Sequence, residues 1–288
     1  MPAATPRFTL FIITFTCFSG CNLINPDEPV PSYIHIPSFS LKTGTGQGSA
    51  THKITDAWLY VDDDLKGIFE IPVTIPVLSS GAPEISISAG ILDNGISDTR
   101  AIYPMYAAFK VNVDSVSVFL DPGKADTVKP VVFYRDSMTF YLIADFESST
   151  HFITLEGDTA ITTGGDSTHV LEGNYGLLQL NASAPEFEGI STDTFALPSG
   201  GIPVYIELDY KTNNAFTIGL HAIDGPVVAV REKVIVNPKE DWNKIYINLT
   251  QDIFELDAPF YQLYIKAEKS DNLSLASIYL DNLKLISR

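Results

Sequence analysis

The sequence predicts an all-β chain of two successive modules. Three observations predict it. Apolar and polar residues alternate with a period of two over many short stretches. Gly, Pro, Asn and Asp clusters separate those stretches at strand-length intervals. No segment sustains a 3.6-residue period beyond a single helical turn over Asp252–Leu256. With 288 residues, 45% of them hydrophobic and 18% charged, the chain has material for about two packed cores.

The chain begins with Arg7 and an apolar run, Phe8 to Phe18, that is shorter than the roughly 20 residues a membrane span needs. Small residues Ser19 and Gly20 then precede Cys21. A basic start, a short apolar core and small residues before a cut form the secretory pattern. Phe18-Ser19-Gly20-Cys21 resembles a bacterial lipobox, with Phe where that family usually has Leu. The resemblance implies a signal peptide over residues 1–20 and a diacylglyceryl group with further palmitate-type acylation on Cys21. Asn22 after the cysteine, rather than Asp, implies sorting to the outer membrane. Several acyl chains, at about 0.8 kcal/mol per buried methylene, would anchor the protein stably.

Residues 21–32 carry Pro26, Pro29 and Pro31 and are expected to form a flexible tether, since proline suits neither helix nor sheet interior. Asp27-Glu28 loosely resembles the acidic surface-export signal of Bacteroidota lipoproteins. Both the periplasmic and the cell-surface face stay open.

The first module is expected over residues 33–136. Tyr33–Ser40 alternates, Ala57–Val61 and Ile68–Ile71 flank an Asp62-Asp63-Asp64 turn, and Pro72 and Pro76 bracket an edge segment. Glu84–Ser88 alternates again, Asn94-Gly95 marks a turn, and Val111, Val113, Val116 and Val118 suggest two more short strands. The spacing of Val61-Asp62, Gly67, Pro72, Pro76, Leu78, Gly81, Ile85, Ile87 and Gly90 resembles a PEGA-type or similar immunoglobulin-like module, which implies an extracytoplasmic scaffold.

The second module is expected over residues 137–288. Its strand candidates are Phe140–Phe146, Gly176–Leu180, Val204–Tyr210, Thr217–Ala222, Val227–Ile235, Lys244–Leu249, Gln262–Ala267 and Ser277–Ile286, a sandwich or jelly-roll pattern. Asp145-Phe146-Glu147 at its start, Gly173–Leu177, and Tyr279–Leu283 at its end resemble the galactose-binding-like jelly rolls of many carbohydrate-binding modules. The expected fold is therefore all-β, an N-terminal immunoglobulin-like β-sandwich followed by a C-terminal jelly-roll β-sandwich. The resemblance implies a structural calcium held by Glu147 and Asp281, with Asp145 a third ligand. Calcium takes six to eight hard oxygen ligands, and solvated strand-end carboxylates are the other reading of these residues.

Sugar sites combine aromatic faces with hydrogen-bonding side chains. Trp242, Tyr205 and Tyr246 are the candidate ligand-binding residues, and the alternation Tyr205/Glu207/Asp209 with Tyr246/Asn248 could line a concave face. For Trp242, burial in the core is the competing expectation.

Composition and motifs narrow the function classes. Thirty-five acids against 18 bases give a formal charge of -17, which argues against nucleic acid and against electrostatic adhesion to anionic lipid. Cys17 would leave with the leader and Cys21 would carry lipid, so no disulfide or cysteine nucleophile is expected in the mature chain. The five histidines show no metal-ligand spacing, and no catalytic motif is apparent. The layout is similar to a small Bacteroidota outer-membrane lipoprotein family. That resemblance implies a non-enzymatic accessory or scaffold subunit of an outer-membrane protein complex, engaged with a β-barrel or other envelope protein of the assembly or export machinery. The alternative is a surface glycan-binding lipoprotein of a polysaccharide-uptake system.

Overall fold

The computed structural model describes residues 28–111 and 118–288. Residues 1–27, and with them the leader, Cys21 and most of the tether, lie outside the described residues, as do Val113 and Val116. Among the described residues no helix is long and apolar enough to cross a membrane.

Strand β1 (Ser32–Ile36) buries Ser32, Ile34 and Ile36 and turns Tyr33 and His35 outward, the two-residue period expected of a half-buried strand. It lies between β5 (Val73–Val77) and β9 (Ala125–Thr127), while β2 (Ser40–Lys42) pairs with β10 (Val131–Phe133). A further sheet runs β4 (Asp64–Glu70), β3 (Asp56–Val61), β6 (Ile85–Leu92), β7 (Arg100–Ile102), with β8 (Phe109–Lys110) also on β6. Asp62 and Asp63, both at positive φ, close the β3–β4 hairpin in two residues, a turn that matches the twist of its strands. These sheets enclose a core that includes Ile34, Ile36, Leu59, Ile85, Ile87 and Tyr103. Val111 and Val118 are buried and lie outside the described strands, and the expected strand residues between them fall outside the described residues.

The C-terminal part is a two-layer sandwich. One sheet runs β13 (Thr162–Gly164), β14 (Tyr175–Leu180), β21 (Ala276–Ser287), β16 (Val204–Thr212), β19 (Lys239–Asn248), with β11 (Thr139–Ala144) extending β21 beyond β14. The facing sheet runs β12 (Phe152–Glu156), β15 (Glu186–Ser191), β20 (Phe260–Glu268), β17 (Phe216–Asp224), β18 (Val227–Val236). The even-numbered residues of β16 (Ile206, Leu208, Tyr210) point into the core, together with Ile218, Leu220 and Leu263 of the facing sheet. The chain is all-β, as expected, and its one described helix, α1 (Thr250–Leu256), lies where the helical turn was predicted. Strands β12, β13 and β15 were not predicted.

The outward row of β16, β19 and β21 is not a free surface. Tyr205, Tyr246 and Ile286 join the core of the N-terminal sheets, so the second sandwich is seated on the first by this face. The Asn94–Gly95 turn docks there too. Asn94 N donates to Tyr246 O at 2.9 Å, and Asn248 N donates to Asn94 Oδ1 at 2.9 Å.

A basic cleft around the edge strand β19

Beneath the seat lies a buried charged cluster. Glu207 is fully buried and accepts hydrogen bonds from Tyr103 Oη at 2.8 Å and from Tyr134 Oη at 2.9 Å. Lys244 Nζ stands 3.6 Å from Glu207 and 3.5 Å from Asp209, and Lys284 Nζ stands 4.0 Å from Glu207. Lys284 also donates to Ser49 O at 2.6 Å and to Tyr134 Oη at 3.0 Å. Burial pulls the Lys284 ammonium down to about 8, against the opposing pull of Glu207. The same burial, reinforced by Glu207, holds the Tyr103 and Tyr134 phenols well above their ordinary range, so both stay neutral donors.

Asp281 adjoins this cluster and is 1% exposed. One carboxylate oxygen accepts from the Asn282 backbone N–H at 2.7 Å, and the other has no hydrogen-bond partner. Burial pushes its pKa up to about 7, with the charges of Asp209 and Glu172 adding to the rise.

The three residues expected to hold calcium each make protein contacts. Glu147 accepts from the backbone and side-chain nitrogens of Asn174 at 2.7 and 3.0 Å, pinning the loop that contains Gly173. Asp145 accepts from the Glu147 N–H at 3.2 Å. Asp281 belongs instead to the sheet face beside Asp209. Among the described residues no three His, Cys, Asp or Glu side chains are grouped to hold a metal ion.

The expected aromatic row lies inside the molecule. Tyr205 and Tyr246 are 4% and 2% exposed, covered by the N-terminal sheets, and present no ring face to a ligand in solvent. Tyr205 instead accepts from Asn248 Nδ2 at 2.8 Å, and Tyr246 Oη accepts from the Lys53 N–H at 3.0 Å.

Trp242 is different. It is half-buried rather than a core residue, and its indole N–H donates to His169 O at 2.8 Å. That bond ties the 165–174 loop across the end of β19. The loop is fixed further by Asp166, which accepts from the Thr168 N–H at 3.0 Å and from Tyr175 Oη, and by the His169 ring, stacked on Tyr279 at 4.8 Å. Trp242 borders a hollow of about 550 Å³ whose wall also includes Asp209, Asn243, Lys244, Thr51 and His52. The buried Nδ1 of His52 finds no protein partner. Burial first, and Lys244 second, lower the His52 pKa, so the ring stays neutral near pH 7.

Lys53, Asn243 and Lys244 form a shared wall with a second, larger cleft of about 770 Å³. It opens where the edge strands β18 and β19 meet, and Asn94, Gly95 and Ile96 close it from the N-terminal side. Lys53 donates to Asn243 Oδ1 at 2.5 Å, and Asn243 Nδ2 donates to Tyr210 Oη at 2.8 Å. The sequence pointed to Trp242 but missed Lys53 and Lys239, which approach each other only through the fold.

No protein-family model matches the chain, and no curated protein matches it. Several solved structures are similar. One, described as the structural basis for promiscuous specificity of carbohydrate-binding modules of the β-sandwich superfamily, shares 13% identity at a TM-score of 0.37, over 90% of this chain and 99% of that one. A family 61 carbohydrate-binding module in complex with β-1,4-galactotriose shares 15% identity at 0.36, over 52% of this chain and 99% of that one. The enzymatically active domain of bacteriophage CBA120 tailspike protein 4 shares 11% identity at 0.39, over 49% of this chain but only 20% of that one. Scores this low leave the chemistry of the cleft to decide the functional reading.

Proposed function

We propose that this protein is a non-enzymatic glycan-binding lipoprotein, held at the outer membrane by lipid on Cys21. The observation that carries the binding reading is the hollow beside Trp242. An indole fixed by its own hydrogen bond borders a space walled by a carboxylate, an amide, an ammonium and a hydroxyl. A pyranose offers one apolar face and a rim of hydroxyls, and few sites other than an aromatic beside mixed donors and acceptors suit both. The buried acids nearby support binding over turnover. Glu207 is engaged by two phenols, and Asp209 by Thr51 Oγ1 at 2.5 Å and by Lys244, so neither is poised to shuttle a proton.

Affinity electrophoresis against a panel of polysaccharides tests the reading. Wild-type protein is retarded by at least one polymer, and Trp242→Ala loses about 1–2 kcal/mol of that binding, the order expected on truncating an aromatic anchor. Unchanged retardation of the variant would overturn the site. For the anchor, labelled palmitate is incorporated by wild-type cells and lost in Cys21→Ser, while label retained in that variant sinks it.

A second reading, the accessory subunit of an envelope complex, has one observation of its own. The edge strand β18 exposes Val227, Val228, Val230 and Ile235, a row able to meet a protein partner. Arg231 and Lys233 interrupt it, each within ion-pair distance of Asp252. Stoichiometric recovery with a β-barrel protein from solubilised membranes would favour this reading over the first.

A further inference from the structure

We infer that the cleft between β18 and β19 selects an anionic glycan, one carrying carboxylate or sulfate groups, with the anion received between Lys53 and Lys239. This rests on the glycan reading above and adds the charge class of the ligand.

Charge placement is the first support. In a chain with 35 acids and 18 bases, the residues lining the larger cleft include four lysines, Lys53, Lys233, Lys239 and Lys244, and no Asp or Glu. Random placement of side chains at this composition would give the opposite sign. Two of the four are already neutralised. Lys233 pairs with Asp252 at 2.5 Å, and Lys244 lies between Glu207 and Asp209.

Lys53 and Lys239 are not neutralised. Among the described residues neither forms an ion pair with a carboxylate within 4.0 Å. Lys53 has only the neutral amide oxygen of Asn243, and its pKa is lowered by burial and then by the charge of Lys239. Half-buried Lys53 carries its charge beside the exposed Lys239 at a cost to the folded state. A bound anion would relieve it, with charge-assisted hydrogen bonds from both ammonium groups.

Continuity with the Trp242 hollow is the second support. The two spaces share Lys53, Asn243 and Lys244, so a saccharide on the indole lies beside Lys53, and Lys239 lines the adjoining cleft. Beyond Lys239 a smaller hollow carries Lys211 and His169, with Glu240 as its one acid. The cations thus follow the line of β19 instead of forming a broad patch. That geometry suits an acidic chain laid along one line, and the overall charge of -17 repels such a chain from the rest of the surface.

The test is isothermal titration of the intact protein with three polymers: polygalacturonate, a sulfated galactan, and an uncharged galactan. Binding to either acidic polymer, at least tenfold tighter than to the uncharged one and weakening as salt rises, supports the inference, and the stronger arm tells carboxylate from sulfate. Lys239→Gln, at an exposed position, weakens the acidic arm on the order of 10- to 100-fold and leaves the uncharged arm unchanged. Lys53→Met has the same effect if its melting temperature matches wild type. Equal affinity for charged and uncharged galactan overturns this inference but leaves the glycan reading standing. Failure to bind any of the three overturns this inference, and failure against the whole polysaccharide panel as well overturns both.

Discussion

At the scale of single residues, Asp281 makes a prediction with a definite sign. Its folded pKa is raised, to about 7, above the ordinary carboxylate value of 3.8. Between those values the folded state binds a proton that the unfolded state releases, so stability falls as pH rises through this window. Any contribution from the group is fully present below about 4 and gone above about 7. Asp281→Asn keeps the shape and removes the titration. Melting temperature measured from pH 4 to pH 8 should show a shallower decline in the variant, with the variant more stable than wild type at pH 8. A variant less stable than wild type at pH 8 would mean that Asp281 is paired in a way its unpartnered oxygen does not suggest. Asp281 also shows what the sequence could and could not disclose. The residue was singled out, as a metal ligand, from its place in the last strand. Its actual neighbours, Asp209 and Glu172, are 72 and 109 positions away in the chain, and only strand register brings them together.

At the scale of elements, legibility followed burial. Strands β14, β16, β17, β19, β20 and β21 all carry buried rows, and each was visible as alternating or continuous apolar sequence. Strand β12 was missed because only Phe152 of its five residues is buried, so its pairing with β15 leaves little trace in the pattern. Strand β18 was visible in its apolar residues, but not that it would form a wall of the cleft. Its fit against β17 depends on a bulge at Lys233, opposite the step from Ile218 to Gly219. A Cβ on Gly219 would come within 2.1 Å of Arg231 O, a backbone atom that cannot swing away. Gly219→Ala should therefore cost about 1–3 kcal/mol by overpacking. It should also weaken ligand binding, since Lys233–Val236 line the larger cleft. Chemical denaturation and titration of the same variant check both effects, and a loss of stability with binding intact would detach β18 from the site.

At the scale of the whole molecule, the two sandwiches are joined by a charged seat that the sequence hid. Glu207 stood in the sequence as one acid on an alternating strand, and nothing there marked Tyr103 or Tyr134, yet the three meet across a separation of 73 to 104 positions. The seat has a consequence for unfolding. If Tyr205, Tyr246 and Ile286 are core residues of the N-terminal sheets, neither sandwich can unfold without exposing part of the other. Thermal and denaturant unfolding of the wild type should each give one transition, with the calorimetric and van't Hoff enthalpies in agreement. Glu207→Gln tests the coupling directly. The amide can still meet both phenols, but Lys244 and Lys284 lose their shared counter-charge and keep only Asp209 nearby. Removing one partner from a buried ionic cluster costs about 3–5 kcal/mol. That loss should lower the midpoint of the single transition, because the cluster belongs to both sandwiches at once. Two separate transitions in the wild type, or a variant that shifts only one of them, would show that the modules fold independently and that the seat is a contact without a thermodynamic role.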